Sequence, residues 1–452
     1  MKEEMTMNKR VIIVLAALLL AFPSLYAQTW MLRDYRLSYR TNPALAGENN
    51  FISIGEFNSA TRANIGASAF LYPYNGKVVT ALHPSVSAAT FMSKLQPLNY
   101  SFGLIDYNLF SYGFATKNAF HTVEINVKGQ YDMALTRDLF FLAKLGMNDE
   151  QYSLTGSGAQ GNLYAELAYG YTRKLGDVVT LGVRGKLLLG LLAGSYKFTR
   201  FEMNLNGDAY TARIDADLDL TNRKAKINPD ENGYLNLRDI TAKGSWGGPS
   251  GIGLAVDLGI KIKPVENLTI DASILDLGGM LWYMGNAGFS TGTFTFVGLD
   301  GLEYEEFSMD GLTDQLNNIK DDFLETLKLK SPTKKTRWKT IPFRAQASVK
   351  YAMPFYGRLR IGGNIQYQNY TNMSYWHAAG GVAVAPLSWL DLSVGLGGGT
   401  YGLALDVAAC IRILRFRITA SMHNGFGGTI PYTKTALQPN LKTVSLGLTY
   451  DI

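Results

Sequence analysis

Apolar and polar residues alternate with a period of two along most of this chain, and the pattern is cleanest at its C-terminal end. There Val444, Leu446, Leu448, Tyr450 and Ile452, led in by Leu441, interleave with Ser445, Gly447, Thr449 and Asp451. A β-strand puts the two sets on opposite faces. The same pattern returns in Ile252, Leu254, Val256, Leu258, Ile260 and Ile262, set against Gly253, Ala255, Asp257, Gly259, Lys261 and Lys263. It returns again in Phe343, Ala345, Ala347, Val349 and Tyr351 against Arg344, Gln346, Ser348 and Lys350. A further case sets Leu359, Ile361, Ile365 and Tyr367 against Arg360, Asn364, Gln366 and Gln368. Weaker versions occupy residues 123–131, 165–171, 179–187 and 268–275.

A soluble sandwich with one wet face also alternates, so the choice rests on the two ends of the chain. A long, clean final strand suits a barrel, whose last strand closes on its first and leaves no edge. At the other end, Lys9 and Arg10 precede an apolar stretch over residues 11–23. That is shorter than the roughly 20 residues a membrane helix requires, and Leu25-Tyr26-Ala27 has the form of a signal-peptidase site. Residues 1–27 are expected to be a cleaved signal peptide, cut between Ala27 and Gln28. Beyond them the longest apolar run, residues 187–193, is interrupted by Gly190. A chain that enters lipid without membrane helices must close into a barrel, because every backbone group has to be paired internally. The expected fold is all-β. It is a transmembrane antiparallel β-barrel over residues 49–452, of roughly 14 strands (about 12 to 16), in the outer membrane of a Gram-negative bacterium.

Composition agrees with that architecture. The 26 Tyr and 22 Phe can furnish two interfacial girdles, and the 47 Gly relieve crowding in tilted strands and turns. With a single cysteine, Cys410, no intramolecular disulfide forms. Loss of residues 1–27 lowers the net charge from +6 to +5. Basic and acidic residues interleave without a basic helix, which excludes nucleic acid and leaves outer-membrane lipid as the partner.

Three segments break the strand rhythm. Residues 136–146 read as a short helix, with Thr136 as N-cap, Asp138 near the positive end and Gly146 as the stop. Residues 221–250 read as a polar loop. Leu312, Leu316, Ile319, Phe323 and Leu327 sit at helical spacing ahead of Pro332. Lys328, Lys330, Lys334, Lys335, Arg337 and Lys339, with Trp338 among them, form a basic run on the same excursion. It reads first as a solvated loop and second as a contact for lipopolysaccharide headgroups.

Candidate chemistry is sparse. Asn228 through Gly233 with Asp239 has the spacing of a calcium loop, but it starts on Asn, closes on Asp and lacks helical flanks, so a plain loop is expected. Gly395-Leu396-Gly397-Gly398-Gly399 lacks the Lys-Ser/Thr of a phosphate loop and reads as a turn. His83, His121, His377 and His423 are scattered, without the paired spacing of metal ligands. His121, on an alternating strand, reads as an interfacial or packed side chain. No catalytic residue, cofactor or metal is expected, and the chain is not read as an enzyme.

Asn42-Pro43-Ala44-Leu45, ahead of the first strand, resembles the start of FadL-type outer-membrane transporters and of the related PorV barrel of type IX secretion. The wider set is Asn42 to Ala46, then Leu82-His83-Pro84-Ser85-Val86-Ser87, then Asp138-Leu139-Phe140-Phe141 with Lys144-Leu145-Gly146-Met147, and finally Ala165-Glu166 with Gly170-Tyr171. It is similar to an uncharacterised Bacteroidota outer-membrane β-barrel family. The resemblance implies about 14 strands and an N-terminal segment, residues 28–48, that folds inward as a plug. Arg33, Asp34, Tyr35, Arg36, Tyr39 and Arg40 are too polar for lipid and suit a polar lumen, where Asp34 can pair with an arginine. Two functions follow from it. The first is passive uptake of a small, hydrophobic molecule through a plugged barrel. The second is a non-transporting scaffold for a secretion or surface-protein partner. Inward Arg, Lys, Gln and Asn in the clearest strands weigh against a purely apolar conduit.

Overall fold

In the computed structural model the described residues are 29–33, 35–146, 151–204, 210–221, 225–229, 235–242, 248–296, 335–370, 374–400, 402–425 and 441–452. Ala27 and Gln28, Asp34, and the helical pattern of residues 312–327 lie outside them.

Fourteen antiparallel strands form a closed wall. They are β1 (Phe51–Ser53, resuming as Glu56–Ala63), β2 (Leu98–Ala115), β3 (Ala119–Thr136), β4 (Gly158–Leu175), β5 (Val179–Asn204), β6 (Tyr210–Thr221, resuming as Gly251–Val265) and β7 (Leu268–Phe296). The other half comprises β8 (Lys335–Thr340, resuming as Arg344–Met353), β9 (Tyr356–Asn369), β10 (Ser374–Leu387), β11 (Leu390–Gly399), β12 (Gly402–Ile413), β13 (Phe416–Gly425) and β14 (Leu441–Asp451). Each pairs with its chain neighbours, and the C-terminal strand closes the ring against β1, with Phe51 opposite Asp451 and Asn58 opposite Ser445. No sheet edge is left along the wall, as a lipid-embedded sheet requires.

The alternation sorts the side chains. On β14, Leu446 and Leu448 face out while Ser445 and Thr449 are buried. Leu254, Ile365, Leu396 and Leu403 continue the outward apolar band, between 52% and 68% exposed. Such exposure of large apolar groups over a whole wall is stable only against lipid. Aromatic rings mark the band's margins. Trp338, Tyr367 and Trp376 face out near one rim, and Phe355, Tyr356 and Trp389 near the other. His121 sits in the second girdle, stacked on Phe114 at 5.0 Å and hydrogen-bonded to Tyr169 at 2.7 Å. Two apolar grooves of about 560 and 590 Å³ lie on the outer, lipid-facing side, lined by Leu258, Ile274 and Ile365 and by Tyr351, Val382 and Leu396.

One rim carries short turns, such as that between β4 and β5 at Gly176. The other carries the long excursions and a small cap. A hairpin pairs Leu71–Tyr74 with Lys77–Thr80 through Asn75 and Gly76, both at positive φ as a two-residue hairpin requires. Helices α1 (Ala88–Met92) and α2 (Arg137–Leu145) pack beside it. Phe70, Phe91 and Phe140 meet there with ring centroids 5.8 to 6.1 Å apart, at the centre of a core that includes Ile65, Leu95 and Met133.

Four expectations need correction. Thr136 precedes α2, but its side chain does not cap it; the hydroxyl meets Ser157 Oγ at 3.2 Å instead. Residues 221–250 are not a plain loop, since Ala225–Pro229 and Leu235–Ala242 pair as a hairpin. Asn228 and Asp239 of the calcium-like spacing fall on its two strands, and residues 230–234 lie outside the described set. Gly395 to Gly399 are not a turn but the second half of β11, because both edges of that segment are paired, to β10 and β12. The basic run does not stay a loop over Lys335–Thr340, where Arg337 and Lys339 turn inward toward Asp219 at 3.0 and 3.9 Å.

Candidate functional site

The interior is ordered in layers, and the sequence sets that order. Inward residues on successive strands place charges at one level, as Arg184 and Lys186 on β5 and Glu124 and Lys128 on β3. One or two steps further toward the long-loop rim they become Leu188 on β5, Tyr164 on β4, and Met280 and Trp282 on β7. Phe102, Tyr370 and Tyr375 complete this apolar layer on the opposite wall.

The charged level is a continuous network. Arg40 from the N-terminal segment pairs with Glu56, with Asp106 at 2.7 Å and with Glu124 at 3.3 Å. Arg184 links Glu124 at 3.4 Å to Asp257 at 3.0 Å. Lys128 meets Glu166 at 2.7 Å, and Lys186 joins Asp257 at 2.7 Å to Asp276 at 2.5 Å. Asp276 reaches this point through a β-bulge, in which Leu275 and Asp276 oppose Asp257 alone, and it adopts φ +62°. Asp tolerates that left-handed conformation better than most residues, and bulges characteristically re-aim one side chain. The space left among Arg40, Lys128, Arg184 and Lys186 is a cavity of about 30 Å³, enough for one or two waters.

The N-terminal segment threads through this interior. Three short 3-10 turns, Thr29–Met31, Arg36–Arg40 and Pro43–Leu45, carry it across the lumen. Its backbone has too few internal partners, so wall side chains supply them. Ser273 and Gln346 donate to the Thr41 carbonyl at 2.8 and 2.6 Å, Thr172 to Pro43 O at 2.6 Å, and Lys350 to Trp30 O at 2.9 Å. Asp391 accepts from Arg33 N at 2.6 Å, and Asp451 from Arg36 Nε at 2.8 Å. Leu32, Tyr35, Leu37 and Tyr39 pack with Phe51, Phe120, Ala408 and Cys410 below the charged level. Where the segment leaves the lumen, Lys174 holds the Glu48 carboxyl below its usual range.

Asn42-Pro43-Ala44-Leu45 has a definite physical role. Asn42 caps its own turn by accepting from Ala44 N at 2.9 Å, and its amide donates to Ile260 O, Asp271 Oδ1 and Ala272 O, each at 3.2 Å. Pro43 takes the first position of the turn, where no N–H is needed. Gly182 and Gly259 on the wall make room for it; a Cβ on either would fall on Pro43 or Asn42. The motif is legible in sequence, but its docking glycines on β5 and β6 are not.

A second cluster contradicts the expectation that the histidines stay apart. His377 on β10, Asp406 on β12 and His423 on β13 meet on the inner wall, all buried. Asp406 and His423 are direct cross-strand partners. His83 and His121 remain separate, each bound locally to Ser85 and Tyr169.

Comparison with known proteins adds a family and a set of shapes. Among solved structures, a FadL homologue of Pseudomonas aeruginosa is 11% identical, with 95% of this chain and 99% of that one covered and a TM-score of 0.48. The Ralstonia pickettii toluene transporter TbuX is 9% identical (92% and 94% covered, TM-score 0.46). The Pseudomonas putida toluene transporter TodX is 8% identical (95% and 95%, TM-score 0.43). No curated protein matches the chain. The signature described as "Family of unknown function (DUF5723)" matches residues 43–409, from Pro43 of the N-terminal turn into β12, and the chain belongs to that family.

Proposed function

We propose that this protein, exported by a cleaved leader over residues 1–27, serves in the outer membrane for passive uptake of a small hydrophobic molecule, with the N-terminal segment as its gate. The observation that carries the reading is the layered interior. The wall encloses an apolar and aromatic layer of Tyr164, Leu188, Trp282, Phe102 and Tyr375 beneath the cap, suited to an apolar solute. Beneath it lies the charged belt that Arg40 closes. On the short-turn side a cavity of about 580 Å³, lined by Glu48, Lys117, Phe120 and Lys174, opens beside the segment's exit. Short turns conventionally face the periplasm, so a solute entering from outside meets the apolar layer first and the gate last.

The near-filled belt also favours a second reading. A barrel whose charged belt leaves room for only one or two waters suits a scaffold that presents its loops to a secretion or surface-protein partner. Native mass spectrometry of the protein extracted gently from outer membranes separates the two. A retained small apolar molecule supports uptake; a retained protein with an apolar-free barrel contradicts it and supports the scaffold.

A further inference from the structure

The cluster of His377, Asp406 and His423 lies apart from the N-terminal segment's anchors, and neither reading of function uses it. One ring nitrogen of each histidine and one oxygen of Asp406 all lie within 4.8 Å of one another. His423 Nδ1 meets Asp406 Oδ1, and His377 Nε2 stands 3.7 Å from Asp406 Oδ2. The two imidazoles are nearly perpendicular, with centroids 4.8 Å apart. Nδ1 of His377 and Nε2 of His423 are buried without a hydrogen-bond partner, and Nε2 of His377 has only the 3.7 Å approach of Asp406 Oδ2, although buried polar atoms are ordinarily satisfied. Tyr375 stacks on the His377 ring at 6.3 Å and 3°. The nearby cation Arg62 lies over the Tyr375 ring at 4.1 Å and donates to Tyr370 at 2.9 Å.

The strand between the two histidine-bearing walls explains how they meet. β11 separates β10 from β12, so His377 must reach across a full strand to Asp406. The inward positions of β11 at that level are Gly395, Gly397 and Gly399, opposite Asp406, Ala404 and His377 respectively. A Cβ at Gly397 would sit 2.5 Å from His377 Nε2. The glycine run therefore clears a trough in which the imidazole lies.

We propose that His377, Asp406 and His423 bind one divalent first-row transition cation of the Zn²⁺ class on the inner wall of the barrel. Two imidazoles and a carboxylate are a donor set that suits such ions and leaves a position for water or solute. Tetrahedral ligation at about 2.0–2.2 Å sets donor atoms about 3.3–3.6 Å apart, so the atoms now up to 4.8 Å apart draw together and the His423 Nδ1–Asp406 Oδ1 hydrogen bond opens or is kept by the nitrogen that does not bind the ion. The hydroxyls of Ser421 and Ser445, buried and without protein partners on the same inner face, are placed to hold water around such an ion.

The test uses the full chain in detergent, stripped with a chelator and dialysed against Zn²⁺. The expected result is close to one retained Zn²⁺ per chain. His377→Ala and His423→Ala should each bind more than tenfold more weakly while still running as folded barrels on an unheated gel, and His121→Ala should bind as the parent does. Failure of the parent chain to retain Zn²⁺, or unchanged retention in the double variant His377→Ala/His423→Ala, would overturn the proposal. If the alanine variants do not fold, X-ray absorption of the Zn²⁺-loaded parent decides. Two imidazole ligands at about 2.0–2.1 Å support the site, and an all-oxygen shell contradicts it.

Discussion

Arg40 is the residue on which the interior turns. It is 2% exposed and touches Glu56, Asp106 and Glu124, carboxylates from three different wall strands. Removing one partner of a buried ion cluster leaves the others uncompensated at a cost of about 3–5 kcal/mol. Arg40→Met is therefore expected to lower the denaturant midpoint of the barrel in detergent by a corresponding amount, whereas Arg200→Met, on a half-exposed pair, should leave it within error. An unchanged midpoint for Arg40→Met would mean that the network relaxes around the loss. The sequence discloses the wall charges as inward positions, because alternation assigns each strand residue a face. It does not disclose their partners, because Glu56, Asp106, Glu124 and Arg40 lie on four separated segments whose register only the closed ring defines. The meeting of His377, Asp406 and His423 is hidden for the same reason, and the glycine run of β11 is its one trace in the sequence.

At the scale of elements, the N-terminal turn and the wall fit each other through missing side chains. Gly259 admits Asn42, and Gly182 admits Pro43. Gly259→Val should expel the turn while leaving the outer face of β6 unaltered, and limited proteolysis should then cut within residues 35–48 of the folded barrel. Resistance equal to that of the parent would show that the turn does not depend on this fit. The cap behaves as a separate small core: Phe140→Ala removes the ring that Phe70 and Phe91 both touch, at about 3–5 kcal/mol for a buried aromatic. Proteolysis should then reach residues 64–97 with the wall intact, and cleavage of wall strands instead would contradict that independence. The helix α2 was readable from Thr136, Asp138 and Gly146, since caps and charge are local signals. The hairpin within residues 221–250 was not, because Ala225–Pro229 spans only five residues and the alternation begun by Leu235 and Leu237 breaks at Arg238-Asp239, too short a run to declare its period.

At the scale of the whole molecule, the barrel is a wall written almost openly in the sequence around a centre that is not. Apolar residues at every second position dictate a lipid-facing surface, and closure follows from the need to pair every backbone group. What the lumen does depends on whether the N-terminal segment leaves it. Planar-bilayer recording compares the mature chain with one lacking residues 28–46, both verified as folded by gel mobility before heating. A gate predicts a closed or nearly closed parent and a deletion variant with well-resolved, larger unitary conductance. Equal conductance in the two would contradict the gate and leave the segment as a structural core of a barrel that does not open.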